Sequence, residues 1–519
     1  MIEGNNLILG INSFTHDTSI ALISSQNPLW LLEEERFSRI KHHEGLVYYG
    51  SPPYRTIARL KDYIHDKIIS RIAHVGAIDY SAASFNLPQR RYIEFAESLD
   101  PNLEKTVFLS HHKCHAASTF FCSGFDRALI CVIDSRGDGI SISFSKGVGN
   151  SIEGIREIGY GSSIASIYTY ISELIGLGRR SEGKLMGLAA YGENDKLLTG
   201  IFEWNGHYIS INRNILDKAK INDDMPFEKK ADVALSIQTE VENVILEAID
   251  TVNAQVKEEN LALAGGFFLN CRLVGRIRQR MRFKDIFVQP AANDAGTALG
   301  AALLCLEERR GFNFDSVLYG TEYSQEYVRS MLNKYDLEYQ EAEAEEVAKE
   351  LCENRTVGVF SGRMEFGPRA LGSRSIFANP SDVKIVDRLN KIIKNREPWR
   401  PYAPSVLDEY GDFFFENYKY SPYMTESFLA KDKCTKEAPA IVHRDNSSRL
   451  QSVRRDGSVI RRILEEFYAI SGIPMVLNTS FNKDAEPIIE SPDQAIADFY
   501  ASGLDCLYIE GVLLRKRKK

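Results

Sequence analysis

An apolar run, a polar turn and a second apolar run recur in the first third of the chain, and no other feature limits the fold as much. Leu7–Ile11, a turn at Asn12–Asp17 and Ser19–Ile23 make the first copy. Ala128–Ile133, a turn at Asp134–Gly139 and Ser141–Ser145 make the second. Runs this short and apolar, bounded by turn residues, read as buried strands. Their recurrence predicts two similar α/β subdomains. Leu261–Ala264, closed by Gly265-Gly266, and Asp285–Val288 read as two more buried strands, followed by a helix from about Ala295 to Arg309.

With 519 residues the chain exceeds what one hydrophobic core organises, so two or three domains are expected. From Glu322 to Glu353 it is rich in Glu and lacks glycine. A boundary is expected there, near residue 340, dividing the chain into 1–340 and 341–519. The second part opens with a strand at Thr356–Phe360, holds many of the Pro and Arg residues, and has a further strand at Pro474–Leu477.

The formal net charge of −8 gives no global attraction to nucleic acid or an anionic membrane, and neither is expected as a partner. The eight cysteines stand singly, without a C-x-x-C pair, which speaks against a thiolate zinc site and a disulfide framework. The first residues lack the basic and apolar segments of a signal peptide, and no run approaches the roughly 18 apolar residues that span a bilayer. A cytoplasmic protein is expected, with a homodimer as the default association. The basic run Arg515 to Lys519 reads as a frayed terminus.

His111-His112-Lys113-Cys114-His115 follows the apolar run Val107–Leu109. If a helix starts there, His111 and His115 share one face, a spacing that suits two imidazoles on one metal. A pair of capping or core histidines has the same spacing. Asp134, at the end of a strand, and Asp294, between a strand and a helix, would complete a His, His, Asp, Asp set. Such a set suits iron(II), manganese or zinc more than copper(I) or calcium. Three segments are candidates for holding a nucleotide. The turn with Asp138 and Gly139 exposes backbone N–H groups, as any plain β-turn does. Gly265-Gly266, leading to Asn270, sets a double glycine after a buried strand. Lys184 lies in Ser181–Gly187, which also reads as the loop before a helix.

The densest chemistry is in the second half. Gly362 to Arg374 holds three Arg and three Gly, followed by Lys394 to Pro401, Arg449-Leu450-Gln451 and Asn478-Thr479-Ser480. Guanidinium forks bind phosphate and carboxylate oxygens bidentately, and Lys supplies a point charge. Any one of these Arg is as readily structural, but together, in an acidic chain, they point to an anionic substrate.

At these residues the sequence resembles the O-carbamoyltransferases of the nodulation-factor, cephem and nebramycin type. The resemblance covers nearly the whole chain. It includes Gly10 with His16-Asp17-Thr18-Ser19, Glu34 to Arg39 with Lys41, His111 to Ser118, Glu182 to Gly192, Gly265 to Cys271, Arg400 to Pro404 and Asn478 to Asn482. Its most specific run is Glu365 to Ser375.

The resemblance implies an α/β protein with an actin-like N-terminal domain of the Kae (ASKHA) type, built of two related subdomains, and a YrdC-like α/β C-terminal domain. It implies that ATP and carbamoyl phosphate react in the C-terminal domain to give carbamoyl adenylate and pyrophosphate. The carbamoyl group then passes, in the N-terminal domain, to a hydroxyl of a small molecule, a natural product or sugar-like acceptor. By motif match His111, His115, Asp134 and Asp294 would bind iron(II), with manganese or zinc as alternatives. Arg369, Lys394, Arg400, Arg449, Asn478 and Ser480 would line the carbamoyl phosphate and ATP site, with Lys394, Arg400 and Arg449 catalytic. Asp138, Gly139, Lys184, Gly265, Gly266 and Asn270 would hold the nucleotide in the N-terminal domain. His16 matches a position near the acceptor and is the candidate general base; a turn histidine bonded to backbone is the competing reading. The acceptor pocket is expected from the loops Ile40–Arg55 and Tyr160–Arg180. Two other functions share parts of this pattern: a tRNA threonylcarbamoyl-modifying enzyme, which would take nucleic acid, and a sugar kinase or nucleotide-gated module on an actin-like fold.

Overall fold

The computed structural model describes residues 7–13, 16–43, 53–64, 69–75 and 87–516. The chain divides into two compact units, Met1–Tyr319 and Gly320–Lys519. In the first, β1 (Leu7–Asn12), β2 (Ser19–Ile23), β3 (Pro28–Glu33), β4 (Ile69–Val75) and β5 (Thr106–Leu109) form one five-stranded sheet in the order β3-β2-β1-β4-β5. The first three strands form an antiparallel meander, and β4 and β5 are added in parallel. β6 (Arg127–Gly137), β7 (Ile140–Val148), β8 (Ser151–Gly159), β11 (Asn260–Ala264) and β12 (Asp285–Val288) repeat that plan, in the order β12-β11-β6-β7-β8. A separate hairpin, β9 (Phe202–Trp204) and β10 (Ile209–Ile211), lies between β8 and β11 in sequence. The two predicted subdomains are therefore copies of one mixed sheet.

Each sheet's last strand leads to a helix that packs on the other sheet. The helix His111–Phe120 follows β5 but lies on β6 and β11. The helix Ala295–Leu304 follows β12 but lies on β1, β2 and β4. The two helices also touch each other, so closely that a Cβ at Gly300 would stand 1.8 Å from the Cys114 carbonyl oxygen. Only a residue without a side chain fits that approach.

Two sequence expectations shift here. β6 runs through Asp134 to Gly137, so Asp134 lies inside a strand, and the turn is only Asp138-Gly139. Both turn residues have positive φ, 51° and 82°, which matches the twist of a two-residue hairpin. The helix predicted to reach Arg309 stops at Leu304. Arg309 folds back instead and donates to the carbonyls of Leu303 (2.9 Å) and Leu304 (2.7 Å), satisfying acceptors that the helix end leaves open.

The second unit is built on an eight-stranded sheet. Its strands are β13 (Gln340–Glu341), β14 (Val357–Phe360), β15 (Arg374–Ala378), β16 (Ala403–Leu407), β19 (Gln451–Val453), β20 (Met475–Ser480), β21 (Cys506–Ile509) and β22 (Val512–Arg515), in the order β13-β22-β21-β14-β15-β20-β16-β19. β17 (Ser427–Leu429) and β18 (Ser447–Arg449) pair separately. Period-two alternation splits the apolar residues between its faces. Val357, Val359, Phe377 and Val476 pack on one side with Val347, Leu351, Ile463 and Phe467. Phe360, Ile376, Met475 and Leu477 pack on the other. The boundary expected near residue 340 lies within this unit. Val328, Met331 and Leu332 of the Glu-rich stretch join its core, and Gln340–Glu341 pair with β22. Most Glu residues of the stretch face water, Glu326 and Glu345 from the amphipathic helices Gln325–Lys334 and Ala344–Cys352, while Glu350 is buried against Arg355 and Arg515. The stretch is therefore an outer surface of this unit and not a linker.

All eight cysteines are free thiols. Among the described residues no helix is long and apolar enough to cross a membrane. Of the loop Ile40–Arg55, residues 44–52 lie outside the described residues.

Candidate functional site

The exchanged helices bring their N-terminal ends together against β6. His111 and His115 lie one turn apart on the first helix, Asp294 precedes the second, and Asp134 projects from the strand. All four are buried. Their ligand atoms fall within 4.8 Å of one another. His111 Nε2 lies 3.1 Å from His115 Nε2 and 3.2 Å from Asp134 Oδ2. Asp294 Oδ1 is 3.5 Å from both imidazole Nε2 atoms and has no hydrogen-bond partner. A buried carboxylate oxygen without a partner is costly. Two imidazole nitrogens at 3.1 Å share at most one proton between them. Two nitrogens and two carboxylate oxygens converging in this way fit a divalent transition metal.

The electrostatics follow from the crowding. Burial opposes charge on His111, but Asp294 and Asp134 outweigh it and raise the imidazole well above its usual range. Burial and the charge of His111 push His115 down. Burial alone would raise the Asp294 carboxyl, but His16 and His111 hold it well below the carboxylate range. His111 is fitted tightly: a Cβ at Gly137 would stand 2.1 Å from its Cδ2. Gly137→Ala is expected to turn the ring and weaken Mn²⁺ binding by about ten- to a hundredfold, as loss of a supporting contact does at metal sites. Calorimetric titration measures this, with circular dichroism reporting an unchanged fold.

His16 stands at the edge of the cluster, its Nε2 3.6 Å from Asp294 Oδ2. Burial opposes its charge, yet Asp294 and Asp17 raise it to about 10. Both carboxylates therefore favour its protonated form. Its Nδ1 lies 2.9 Å from Asp17 Oδ2, and His42 Nδ1 lies 2.7 Å from Asp17 Oδ1.

Of the segments expected to hold a nucleotide, those of Asp138 and Gly265-Gly266 lie beside this cluster. The Asp138 carboxylate accepts the backbone N–H of His111 at 2.8 Å and so caps the histidine helix; Gly139 completes the hairpin turn. Gly265 has φ 95°, and a Cβ there would meet the Ile133 carbonyl oxygen at 2.2 Å. A Cβ on Gly266 would lie 3.5 Å from Asp134 Oδ1. Asn270 caps the helix Cys271–Arg280 by accepting from Leu273 N–H, and exchanges bonds with Gln238. Lys184 sits half-buried on the helix Glu182–Leu188, where Met186 meets Cys271 at 3.9 Å.

In the second unit Asn478 and Ser480 lie two apart on β20 and so share a face. Asn478 Nδ2 donates to Ser405 Oγ (2.9 Å), Gln451 Oε1 (3.2 Å) and Ala370 O (3.3 Å), and its Oδ1 is buried without a hydrogen-bond partner. That contact brings the Arg369-Ala370 segment alongside. The Lys394 ammonium is enclosed by the carbonyl and hydroxyl oxygens of Ser480 and by both oxygens of Asn482, and it braces the end of β20. Arg400 is partly open, 26% exposed, and 3.6 Å from Glu397. Arg449 ends β18, two residues before Gln451.

Several organising residues were not assigned a role in the sequence reading. Asp17 and His42 flank the site edge, and the His-Asp pair at 16–17 and the His pair at 42–43 were the only signals for them. Glu365 accepts from the backbone N–H groups of Leu371, Ser373 and Arg374. Arg374 is completely buried. Both belong to a run whose composition does not separate structural from binding residues.

Residues 81–303 match the family model described as Carbamoyltransferase N-terminus, and residues 348–516 the one described as Carbamoyltransferase C-terminus. The chain is 32% identical over 554 residues to nodulation protein NolNO of Sinorhizobium fredii (strain NBRC 101917 / NGR234), covering 99% of this chain and 81% of that protein. It is 34% identical over 436 residues to nodulation protein NolO of Bradyrhizobium diazoefficiens, covering 79% of each. Among solved structures it is similar to full-length HypF in the phosphate- and nucleotide-bound form, with 14% identity, a TM-score of 0.39, and coverage of 59% of this chain and 56% of that one.

Proposed function

From the premise that the chain belongs to the carbamoyltransferase family and is a carbamoyltransferase, we propose that it moves the carbamoyl group of carbamoyl phosphate, with ATP as co-substrate, to a hydroxyl of a small sugar-like or natural-product acceptor. The observation that carries this reading is the convergence of His111, His115, Asp134 and Asp294 around an unpartnered carboxylate oxygen in the unit matching the N-terminal family model. A separate cation-rich unit matches the C-terminal one. The doubled strand order supports an actin-like reading of the first unit. The second is proposed to be YrdC-like from the sequence resemblance.

In the second unit an oxygen of the carbamate becomes bonded to the α-phosphorus of ATP, and pyrophosphate leaves with the electron pair of the bond that breaks. That carbamate comes from carbamoyl phosphate, whose bond between the carbamoyl group and phosphate is cleaved by one water, so inorganic phosphate is the other product. Arg400 is positioned by Glu397, and its fork stabilises the phosphoryl charge. Lys394 orders the strand end that presents Ser480. In the first unit the acceptor oxygen bonds to the carbamoyl carbon, the bond from that carbon to the adenylate oxygen breaks, and AMP departs. His16 Nε2 takes the hydroxyl proton. His111, His115, Asp134 and Asp294 would hold iron(II), or manganese or zinc, which when bound supplies Lewis-acid polarisation of a donor oxygen.

The test is incubation of the whole chain with labelled carbamoyl phosphate, ATP and a panel of sugars, aminoglycosides and polyketide alcohols. Pyrophosphate, AMP and a labelled carbamate are expected. ADP in place of AMP would identify a kinase and sink the proposal. Arg400→Ala is expected to slow pyrophosphate release about tenfold or more, the weight of one charge-assisted contact; an unchanged rate would remove Arg400 from the site.

A further inference from the structure

We propose that Asp17 and His42 are positioning residues that set the tautomer of His16 and aim its Nε2 at the carbamoyl-transfer centre. The role in transfer rests on the function proposed above; the tautomer rests on geometry alone. Asp17, Glu35 and His42 are near enough together to resemble a second metal site. Their oxygens are occupied, however, unlike that of Asp294. Asp17 Oδ1 faces His42 Nδ1 at 2.7 Å, and Asp17 Oδ2 faces His16 Nδ1 at 2.9 Å. Glu35 Oε2 accepts the His42 backbone N–H at 2.7 Å, and Glu35 Oε1 pairs with Arg36 at 3.2 Å. The carboxylate oxygens of that group each already face a partner. What remains is a chain of hydrogen bonds, His42 to Asp17 to His16.

An ionised carboxylate only accepts hydrogen bonds, so both Nδ1 atoms must carry protons. Once Asp294 is engaged by a cation, a neutral His16 ring protonated at Nδ1 has its lone pair on Nε2. In His16 that atom is the one 3.6 Å from Asp294. The proton-accepting nitrogen therefore faces the four-ligand cluster, as the aspartate of a hydrolase triad orients its histidine. The carboxylate is itself fixed. Asp17 has φ 55°, its backbone N–H donates to the His42 carbonyl at 2.8 Å, and Asn12 Nδ2 donates to its carbonyl at 3.2 Å. His42 thus grips Asp17 by both ring and backbone.

The experiment has two arms on the full chain. Long-range ¹H–¹⁵N spectra of histidine-labelled protein, assigned with His16→Gln and His42→Gln, should show both rings protonated at Nδ1. Asp17→Asn should shift His16 toward the Nε2–H form. A wild-type His16 lacking the Nδ1 proton, or a spectrum unmoved by the substitution, overturns the proposal. The second arm supplies ATP and carbamoyl phosphate with either methanol or hydroxylamine. The alcohol needs a base to lose its proton; hydroxylamine is nucleophilic without one. Asp17→Asn should lower methyl carbamate about a hundredfold and leave hydroxyurea within about twofold. Equal loss of both products overturns the positioning role. Wild-type protein forming neither product overturns the carbamoyl-transfer reading, and with it the catalytic half of this proposal; the spectra decide the tautomer half independently.

Discussion

Replacing Asp294 with alanine is expected to cut carbamoyl transfer about a thousandfold while pyrophosphate release continues at the wild-type rate. The size follows from the several kcal/mol that Lewis-acid stabilisation supplies at such centres, each 1.4 kcal/mol being about tenfold. Asp294 is the hub of its site. It lies within 3.6 Å of His16, His111 and His115, so its loss would remove a proposed ligand and the charge that faces three imidazoles. The variant should retain less metal after gel filtration, measured by plasma emission. The wild-type protein should bind the cation more tightly as pH rises. In the absence of an ion His111 holds its proton well above the usual range, and an entering metal must displace it. Raising pH removes that competitor, by about tenfold in affinity per unit for each displaced proton, up to the elevated pKa of His111. Equal loss of transfer and pyrophosphate release in the variant would refute separate sites.

The second large effect is on stability. Arg374→Met is expected to destabilise the second unit by about 3 kcal/mol or more, read from chemical denaturation followed by Trp399 fluorescence. Arg374 is fully buried, and its guanidinium lies 3.6 Å from the ring centroid of Phe360, its cross-strand neighbour. Its nitrogens donate to the carbonyls of Ser361, Gly362, Ser373 and Thr321 at 3.0–3.3 Å. A methionine fills the volume but donates nothing. Buried carbonyls then lose their donor, and the charge of Glu365, whose Oε2 has no hydrogen-bond partner, loses its nearby counter-charge. The loop Gly362–Ser373 is folded around this group, so pyrophosphate release should fall with stability. A midpoint shifted by less than about 0.5 kcal/mol, the range of an ordinary surface substitution, would show that the guanidinium is dispensable.

Local chemistry was legible where neighbours in sequence decide it. Ser19–Ile23 and Asp285–Val288 are strands over the residues the sequence marks, and the helix begins at His111, because short apolar runs and helical spacing express themselves within a few residues. The candidate ligands were readable for the same reason: imidazoles four apart share a helix face wherever that helix lies. Their meeting with Asp134 and Asp294 was not, since it depends on two helices exchanging sheets and on Gly300 allowing them to touch. Arg374 and Arg400 look alike in the sequence. Packing buries one among carbonyls and leaves the other open beside Glu397. The chain's own order thus determined the repeated strand units and the residue types able to bind metal and phosphate. Only the tertiary structure decided which of them converge and which are structural, because burial and long-range proximity are properties of the packed whole.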